Sequence, residues 1–217
     1  MNLTLKKELP FIGIVLMPFV YLAYLWNSLP EKVPTHWNYK GEIDHWGDKY
    51  SLITLVLLLP VLTYLLMLLI PKIDPKKRLA LMGRKFSQIK FGLVLLMSII
   101  ALFIIYIAKN QSFASVNIIY SLIGVLLVFL GNYLKTIQPN YFLGIKTPWT
   151  LHNEEVWKLT HHLAGKMWVI GGFVILVSCL LLNETITFSI LLSITAIITI
   201  VPIVYSYVKF KELEIGK

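Results

Sequence analysis

Six long runs of apolar residues constrain this chain more than any other feature of its sequence. None of them contains Asp, Glu, Lys, Arg or His. They cover residues 9–29, 52–70, 91–108, 116–134, 167–182 and 186–208. A helix that crosses a hydrocarbon layer of about 30 Å needs about 20 residues, because an α-helix rises about 1.5 Å per residue. The runs therefore predict six transmembrane helices in an all-α, polytopic membrane protein.

Positive charge is distributed unevenly between the segments that flank these runs. Of the 20 lysine and arginine residues, 16 lie in the N-terminus, the 71–90 and 135–166 loops and the C-terminus, and four lie in the other loops. Cytoplasmic loops of membrane proteins carry an excess of Lys and Arg. We therefore expect both termini in the cytoplasm, and loops 30–51, 109–115 and 183–186 outside. The net charge of +9 reflects this bias, so we expect no direct binding of nucleic acid.

The composition bears on the domain organisation. Only 14% of the residues are charged, against about 25% in ordinary soluble proteins. We divide the chain into an N-terminal two-helix unit, residues 1–70, and a four-helix unit, residues 71–217, and expect them to form one integrated membrane domain. The single cysteine, Cys179, excludes an internal disulfide and a thiolate metal cluster.

The basic 71–90 loop has the pattern of a short amphipathic helix. Asp74 followed by Pro75 is typical of a helix start, with an N-cap and a proline at the first helical position. Apolar residues then recur every three or four positions, at Leu79, Met82, Phe86 and Ile89. Lysines and arginines occupy most of the other side, so we expect this helix to lie on the membrane surface against anionic lipid.

The outer loop between the first two runs reads LPEKVPTHWNYKGEIDHWGDKY. Its NYKG segment predicts a turn in which Gly41 adopts a positive φ, within a short hairpin. Such a hairpin brings His36 near Asp44 as a hydrogen-bonded pair. The alternative is a zinc or copper site formed by His36, Asp44, His45 and Asp48. Their spacing matches no metal motif, and we expect no metal. The aromatic rings of the loop are typical of a belt at the lipid headgroups. They are Trp37, Tyr39, Trp46 and Tyr50.

The inner loop, residues 139–166, reads PNYFLGIKTPWTLHNEEVWKLTHHLAGK. Thr147 and the proline after it predict the start of a short helix. Asn153, followed by two glutamates, predicts the N-cap of a second helix that continues into the fifth apolar run. His161 and His162 are adjacent, so on this helix they point about 100° apart and are poorly placed to bind one ion together. The sequence has no zinc-protease motif, nucleophile elbow or phosphate-binding loop, so we expect no enzyme.

At this loop the sequence resembles a known family. The segment NYFLGIKTPWTLHNEEVWKLTHHLAGKMWVIGG is similar to the signature of the SdpI family, bacterial multi-pass membrane proteins named after the immunity protein against a sporulation-delaying toxin. The signature falls on Asn140, Gly144, Lys146, Thr147, Pro148, Trp149, Thr150, Leu151, Asn153, Glu154, Val156 and Trp157. The outer loop is similar to a short domain at the N-terminus of longer family members. That similarity falls on Pro34, His36, Trp37, Asn38, Gly41, Asp44 and Lys49.

The resemblance implies an immunity function. Such a protein lies in the bacterial cytoplasmic membrane and protects the cell from a secreted, membrane-active peptide or protein toxin. In the best-known branch of the family it also holds a transcriptional repressor at the membrane. The partners implied here are therefore the lipid bilayer, a toxin and a cytoplasmic repressor, and no cofactor is implied.

The candidate contacts are divided between the two sides of the membrane. For the cytoplasmic partner we select Asn140, Gly144, Lys146, Thr147, Pro148, Trp149, Thr150, Asn153, Glu154, Trp157 and His161. For the arriving toxin we select Pro34, His36, Trp37, Asn38, Gly41, Asp44, Trp46 and Lys49. Lys146 stands where we expect arginine more commonly in the family. A structural alternative is that Lys146 pairs with Glu154 or Glu155 and holds the loop.

Two other functional classes stay open. A transporter of small solutes normally carries ionisable side chains inside its spans, and the six runs have none. A membrane-embedded enzyme would use His161, His162, Glu154 or Glu155 of the cytoplasmic loop for acid–base chemistry. The sequence reveals neither a substrate path nor a nucleophile, so immunity is the preferred interpretation.

Overall fold

The structure, a computed structural model, describes residues 5–111 and 115–215 of the chain. Lys217 and part of the predicted outer loop 109–115 lie outside the described residues. The helices are α1 (Leu5–Leu25), α2 (Ser51–Val56), α3 (Leu62–Ile73), α4 (Arg78–Leu81), α5 (Arg84–Asn110), α6 (Asn117–Leu134), α7 (Pro148–His152), α8 (Glu154–Leu181) and α9 (Glu184–Ile215). The strands are β1 (Lys32–Trp37) and β2 (Ile43–Asp48).

Six helical segments in the described part of the chain are long and apolar enough to cross a membrane. They are Lys6–Ser28, Ser51–Ile73, Arg84–Asn110, Asn117–Leu134, Glu154–Leu181 and Glu184–Ile215. The predicted six-helix, all-α fold is therefore confirmed. The second segment joins α2 to α3 through one π-type turn, Leu57–Val61, that contains Pro60. Proline removes a backbone hydrogen bond from a helix, and the wider turn accommodates this loss.

The spans alternate in direction, so the connecting segments gather at two opposite faces. The β1–β2 hairpin and the α8–α9 turn lie at one face, which we name the hairpin face. Loop 74–83 and the signature loop, residues 135–153, lie at the other, which we name the signature face. Contacts within each face agree with this grouping. The Tyr120 hydroxyl donates a hydrogen bond to the backbone oxygen of Tyr39 at the hairpin face, and an ion pair joins loop 74–83 to α8 at the signature face.

Close packing of α6 against α8 positions the signature loop, because this loop connects the two helices. Gly124 on α6 faces Gly172 on α8, and a Cβ at Gly124 would lie 3.0 Å from the Gly172 carbonyl oxygen. Two helical turns further along, Gly131 faces Gly165, and a Cβ at Gly131 would lie 2.9 Å from the Gly165 carbonyl oxygen. Small residues allow the backbones of membrane helices to approach this closely. The start and the end of the signature loop are therefore held at a short, fixed separation.

The hairpin has the turn that the sequence predicts. Strands β1 and β2 are antiparallel, with Lys32 opposite Asp48 and Trp37 opposite Ile43. In the turn, the Asn38 side-chain oxygen accepts hydrogen bonds from the backbone N–H groups of Lys40 and Glu42. Gly41 has a φ of 81°, a value that glycine adopts without strain. The predicted hairpin is therefore confirmed.

Loop 74–83 differs from the short surface helix that was expected within the 71–90 loop. Asp74 caps the C-terminus of α3 instead of starting a helix, and its carboxylate accepts a hydrogen bond from the backbone N–H of Leu79 at 3.2 Å. Lys77 and Gly83 both have a φ of 53°, which interrupts the helical path on either side of α4. Residues 84–90 consequently form the first turns of α5.

The apolar face of this segment is also placed differently from the prediction. Leu79 and Phe86 are fully buried and Ile89 is 1% exposed. All three belong to a core cluster that contains Trp157 of α8. The expectation that this face lies on lipid is therefore wrong. Periodicity identifies an apolar face but does not identify what covers it. Here the cover is a core to which α3, the end of α6, the signature loop and α8 all contribute.

Candidate functional site

The signature loop is folded around the side chain of Asn140, which is fully buried. Its oxygen accepts hydrogen bonds from the backbone N–H groups of Phe142 and Leu143, at 2.8 and 2.7 Å. Its amide nitrogen donates to the carbonyl oxygens of Gln138 and Leu143, at 2.8 and 3.0 Å. One side chain thus satisfies four backbone groups of a segment that is neither helix nor strand, which removes most of the cost of burying them.

His161 on α8 holds the next part of the loop. Its Nε2 accepts a hydrogen bond from the backbone N–H of Ile145 at 2.9 Å, so the ring proton resides on Nδ1, which donates to the Trp157 carbonyl oxygen at 2.8 Å. Gly144 lies against this ring with a φ of 103°, and a Cβ at that position would overlap the His161 Nε2. His161 is 1% exposed. The histidine therefore shapes the loop from inside the protein.

Trp157 completes this packing from the same helix. Its ring stacks on His161 with the two ring centres 4.0 Å apart. Its indole N–H donates a hydrogen bond to the carbonyl oxygen of Ile137 at 2.7 Å. The side chain is 2% exposed, so it connects α8 with the residues that follow α6 and has almost no surface for a partner.

Both predicted helix starts in the signature loop are confirmed. Thr147 caps α7: its hydroxyl accepts from the backbone N–H of Thr150, whose hydroxyl accepts in turn from the backbone N–H of Thr147. Pro148 occupies the first position of α7. Asn153 caps α8: its side-chain oxygen accepts hydrogen bonds from the backbone N–H groups of Glu155 and Val156, the second and third residues of the helix. These caps satisfy backbone donors that a helix start leaves free.

Trp149 joins α7 to the last span. Its indole N–H donates to the hydroxyl of Ser206 on α9, and its ring packs edge-on against Tyr207 with the centres 5.3 Å apart. The side chain is half-buried. Trp149 is therefore positioned by the bundle, and its removal would loosen α7 as well as change the exposed surface.

The exposed residues Lys146 and Glu154 have partners other than the expected ones. Lys146 donates to the carbonyl oxygen of Phe142 at 3.2 Å, whereas Glu154 pairs with Arg78 of α4 at 2.7 Å. The expected pairing of Lys146 with Glu154 or Glu155 is therefore wrong, because the loop before α5 supplies the cation. Lys76 of the same loop donates to the Leu151 carbonyl oxygen at 2.7 Å. Pro148 is also exposed.

On the opposite face, the hairpin leaves His36, Asp44 and Trp46 of the selected set open to solvent, whereas Pro34 is buried. His36 Nδ1 and Asp44 Oδ1 lie 2.6 Å apart, with 68% and 43% of the two side chains exposed. The expected proximity of His36 and Asp44 is therefore confirmed. Trp46, opposite Pro34 in the strand register, is 45% exposed. Trp37 is half-buried.

The base of the hairpin is closed by Lys49. Its ammonium group lies 2.7 Å from a carboxylate oxygen of Glu31 and 5.4 Å from the ring centre of Trp26. The hydrogen bond to Glu31 raises the pKa of Lys49 above its usual value. Lys49 therefore stays protonated at physiological pH and acts at the point where the hairpin joins the first two spans.

The hairpin is also held by the second half of the chain. Besides the bond from Tyr120 to its backbone, Tyr39 stacks on Phe188 of α9 with the ring centres 5.5 Å apart. The side-chain amide of Gln111 donates to the Lys32 carbonyl oxygen at 3.2 Å. The hairpin tip thus rests on α6 and α9, and its base is bonded to the end of α5, which limits its freedom to move away from the bundle.

The selected residues form two separate sets and not one site. The hairpin set and the signature set lie at opposite faces, with the spans between them. Within residues 5–111 and 115–215, no group of three or more His, Cys, Asp and Glu side chains is arranged to hold a metal ion. Any function that uses both sets must therefore act through the helices that connect them.

One polar cluster inside the spans was not identified from the sequence. The Lys90 ammonium of α5 lies 2.7 and 3.0 Å from the two carboxylate oxygens of Glu8 on α1. The hydroxyl of Tyr64 on α3 donates to the same carboxylate at 3.0 Å, and the Phe11 ring centre lies 3.9 Å from the ammonium. Lys90 is 1% exposed.

This cluster corrects the expectation that the spans carry no ionisable side chain. The helices begin before the apolar runs do, so Glu8 and Lys90 lie inside the spans Lys6–Ser28 and Arg84–Asn110. A useful indication was present in the sequence: each residue directly precedes an apolar run, and both runs begin on the same predicted side of the membrane. Opposite charges at equal depth on neighbouring helices are suited to pair with each other.

Comparisons with known proteins agree with the resemblance described from the sequence. Residues 136–206 match the SdpI/YfhL protein family, and residues 13–63, which contain the hairpin, match a domain family of unknown function. The immunity protein SdpI of Bacillus subtilis is 28% identical to this chain over 213 residues, which cover 97% of this chain and 99% of that protein. No solved structure matches the chain. The predicted resemblance is thereby confirmed: residues 136–206 of this multi-pass membrane protein match the SdpI/YfhL family, and nearly the whole chain is similar to an SdpI immunity protein.

Proposed function

We propose that this protein gives the cell that makes it immunity against a secreted, membrane-active toxin, and that it acts from the bacterial cytoplasmic membrane. The observation that carries the proposal is the similarity to an immunity protein over 97% of the chain. Similarity of this extent covers both the hairpin and the signature loop, so it supports a role that needs both. It also favours a function in binding over a function in catalysis.

The hairpin is the proposed contact for the toxin. It combines an exposed polar pair, His36 and Asp44, with the exposed ring of Trp46. Aromatic side chains with one polar edge are enriched where proteins bind partners, since they contribute a large contact area at low entropic cost. The strand pairing and the contact of Tyr39 with Phe188 hold this surface in place, so little ordering is required when a toxin arrives.

The signature face is the proposed contact for a cytoplasmic partner such as a repressor. Asn140, Trp157 and His161 are buried, so in this proposal they hold the shape of the loop and do not touch the partner. The exposed contribution comes from Lys146, Pro148 and Lys77 of the neighbouring loop 74–83. This surface is positively charged and suits an acidic surface on a partner.

A survival assay tests the immunity proposal. A sensitive strain that expresses the protein is exposed to a panel of secreted membrane-active peptides, and the wild type is compared with the double variant His36→Ala/Trp46→Ala at equal membrane abundance. We expect the wild type to protect and the double variant to lose protection. Two variants serve as matched controls: His152→Ala, an exposed histidine on the opposite face, and Tyr106→Ala, an exposed aromatic residue on α5.

The outcomes separate the parts of the proposal. If the wild type protects against no peptide in the panel, the immunity function is contradicted. If the wild type and the double variant protect equally, immunity stands but the hairpin is not the contact. Loss of protection in the His152→Ala variant would place the contact at the signature face instead.

Transport is a second candidate, favoured by one observation. The buried pair of Glu8 and Lys90, with Tyr64 beside it, is costly within a membrane, and such groups often lie on ion or proton pathways. Reconstituted protein would then pass protons or a small cation across vesicles, and Glu8→Gln would abolish the flux. An absence of flux above that of empty vesicles would leave the cluster a purely structural role.

A further inference from the structure

A groove on the signature face has no role in the functions proposed above. It has a volume of about 800 Å³ and lies between the end of α6, the first turns of α8 and the inner part of α9. Three lysines line it, and leucine and tyrosine side chains form its floor. We name it the lysine groove. The lysines are Lys135, Lys158 and Lys166, and the floor is formed by Leu159, Leu163 and Tyr205.

The three lysines give the groove an excess of positive charge. All three are exposed, and within the described part of the chain none of them forms an ion pair. Glu154, at the edge of the groove, is paired with Arg78. Glu155 and His162 also face the groove, so three ammonium groups stand against one unpaired carboxylate. This arrangement favours an anionic occupant.

The α6–α8 contact brings two of the three lysines close together in the fold. A Cβ at Gly165 would lie 3.8 Å from the backbone nitrogen of Lys135. Lys135 and Lys166, the residue after Gly165, therefore start from neighbouring backbone positions on different helices. Both line the groove, so one anionic group is within the reach of two lysine side chains.

An apolar strip continues from the groove along the same side of α8. Ile170, Phe173 and Val177 follow Lys166 at intervals of four, three and four residues, the spacing of one helix face. They are 64%, 54% and 51% exposed within the protein. From Lys166 to Val177 the helix rises about 16 Å, close to the thickness of the hydrocarbon in one leaflet of a bilayer. The face changes from cationic to apolar within a single turn.

We propose that the lysine groove binds the headgroup of an anionic phospholipid, with the phosphate between Lys135 and Lys166 and an acyl chain along Ile170, Phe173 and Val177. A phospholipid accounts for both parts of the surface, because its phosphate meets the ammonium groups and its chain covers the strip. An acidic segment of a soluble protein would meet the lysines only, because the strip lies at the depth of the hydrocarbon, which such a segment does not reach. This site does not depend on the proposed immunity function.

Lipid retention during purification tests the proposal. The full chain is reconstituted with equal amounts of phosphatidylglycerol and phosphatidylcholine, extracted into mild detergent and examined by native mass spectrometry for bound lipid. We expect selective retention of phosphatidylglycerol by the wild type. The variant Lys135→Gln/Lys158→Gln/Lys166→Gln should retain roughly tenfold less, because each lysine near an anionic headgroup contributes to binding.

A control variant with the same change in charge isolates the groove. Lys72→Gln/Lys77→Gln/Lys85→Gln removes three exposed lysines from the signature face outside the groove and should retain phosphatidylglycerol as the wild type does. The single variant Lys166→Glu should lower retention without the other two changes. Equal retention by the two triple variants would overturn the proposal, since it would mean that only the overall charge attracts lipid. Displacement by millimolar inorganic phosphate would also overturn it, because the site would then bind a free anion.

Discussion

The hairpin and the signature loop are both polar excursions from one helical bundle, and they are built in different ways. The hairpin satisfies its backbone by strand pairing and leaves His36 and Trp46 open to solvent. The signature loop has no regular pairing between α6 and α7, so Asn140 and His161 point inward and satisfy its backbone. Side chains that hold a loop together cannot at the same time be offered to a partner. The long sequence signature therefore consists more of residues that fold this loop than of residues that are available to contact a partner.

The largest expected effect comes from the buried ion pair that joins α1 to α5, outside both regions. Lys90→Met leaves Glu8 charged and buried, which should lower the free energy of unfolding by about 3–5 kcal/mol. The double variant Glu8→Gln/Lys90→Met removes both charges and should recover much of this loss. Thermal unfolding in detergent measures the difference. If the single and double variants unfold at the same temperature, the charge pairing is not what stabilises this position.

The second largest effect is expected from a substitution that disrupts only the signature loop. Gly144→Ala requires a φ of 103° from a residue with a Cβ and brings that Cβ against His161, so we expect a loss of about 3 kcal/mol. Gly13→Ala is the matched control, because no atom lies within 4 Å of a Cβ at that position. A Gly144→Ala variant that unfolds at the wild-type temperature would contradict the described packing of the loop on α8.

A smaller effect is expected at the buried amide. Asn140→Ala leaves four backbone groups of the signature loop without their partner, and water that enters the loop replaces some of these bonds, so we expect a loss of about 2 kcal/mol. Hydrogen exchange should increase at the amides of Phe142 and Leu143 while the hairpin amides are unchanged. An increase of similar size at the hairpin would mean that the two regions do not fold independently.

The smallest effect on stability is expected at the hairpin. Asp44→Asn weakens an exposed pair, and such pairs contribute about 0–1 kcal/mol, so the unfolding temperature should barely change. Protection against the toxin should nevertheless fall if the hairpin is the contact. This variant distinguishes the two regions, because at the hairpin a loss of function is expected without a loss of stability. Full protection together with wild-type stability would remove Asp44 from the proposed contact.

Features that depend on neighbouring residues in the sequence were predicted well. The caps at Thr147 and Asn153 and the turn at Gly41 involve groups only two to four positions apart. Their geometry is therefore dictated by local residue types. The hydrogen bond between His36 and Asp44 followed from the position of that turn.

Features that depend on a distant partner were predicted poorly. Glu154 has Lys146 as a sequence neighbour, but Arg78 reaches it from loop 74–83. The apolar face of Leu79 and Phe86 was assigned to lipid, but it is buried in a core formed with other helices and the signature loop. In both cases the residue type and the spacing were interpreted correctly, and the partner was not.

The sequence alone was sufficient to predict six membrane spans, the positions of the polar loops and the residues that begin α7 and α8. These properties follow from hydrophobicity and from local hydrogen bonding, which act along the chain. Three features could be seen only in the three-dimensional structure. Glu8 pairs with Lys90 inside the spans, His161 supports the signature loop, and three lysines line one groove. In a membrane, apolar side chains are equally compatible with lipid and with another helix. Which helices meet is therefore decided by close packing at sites such as Gly131 and Gly165 and by buried polar pairs.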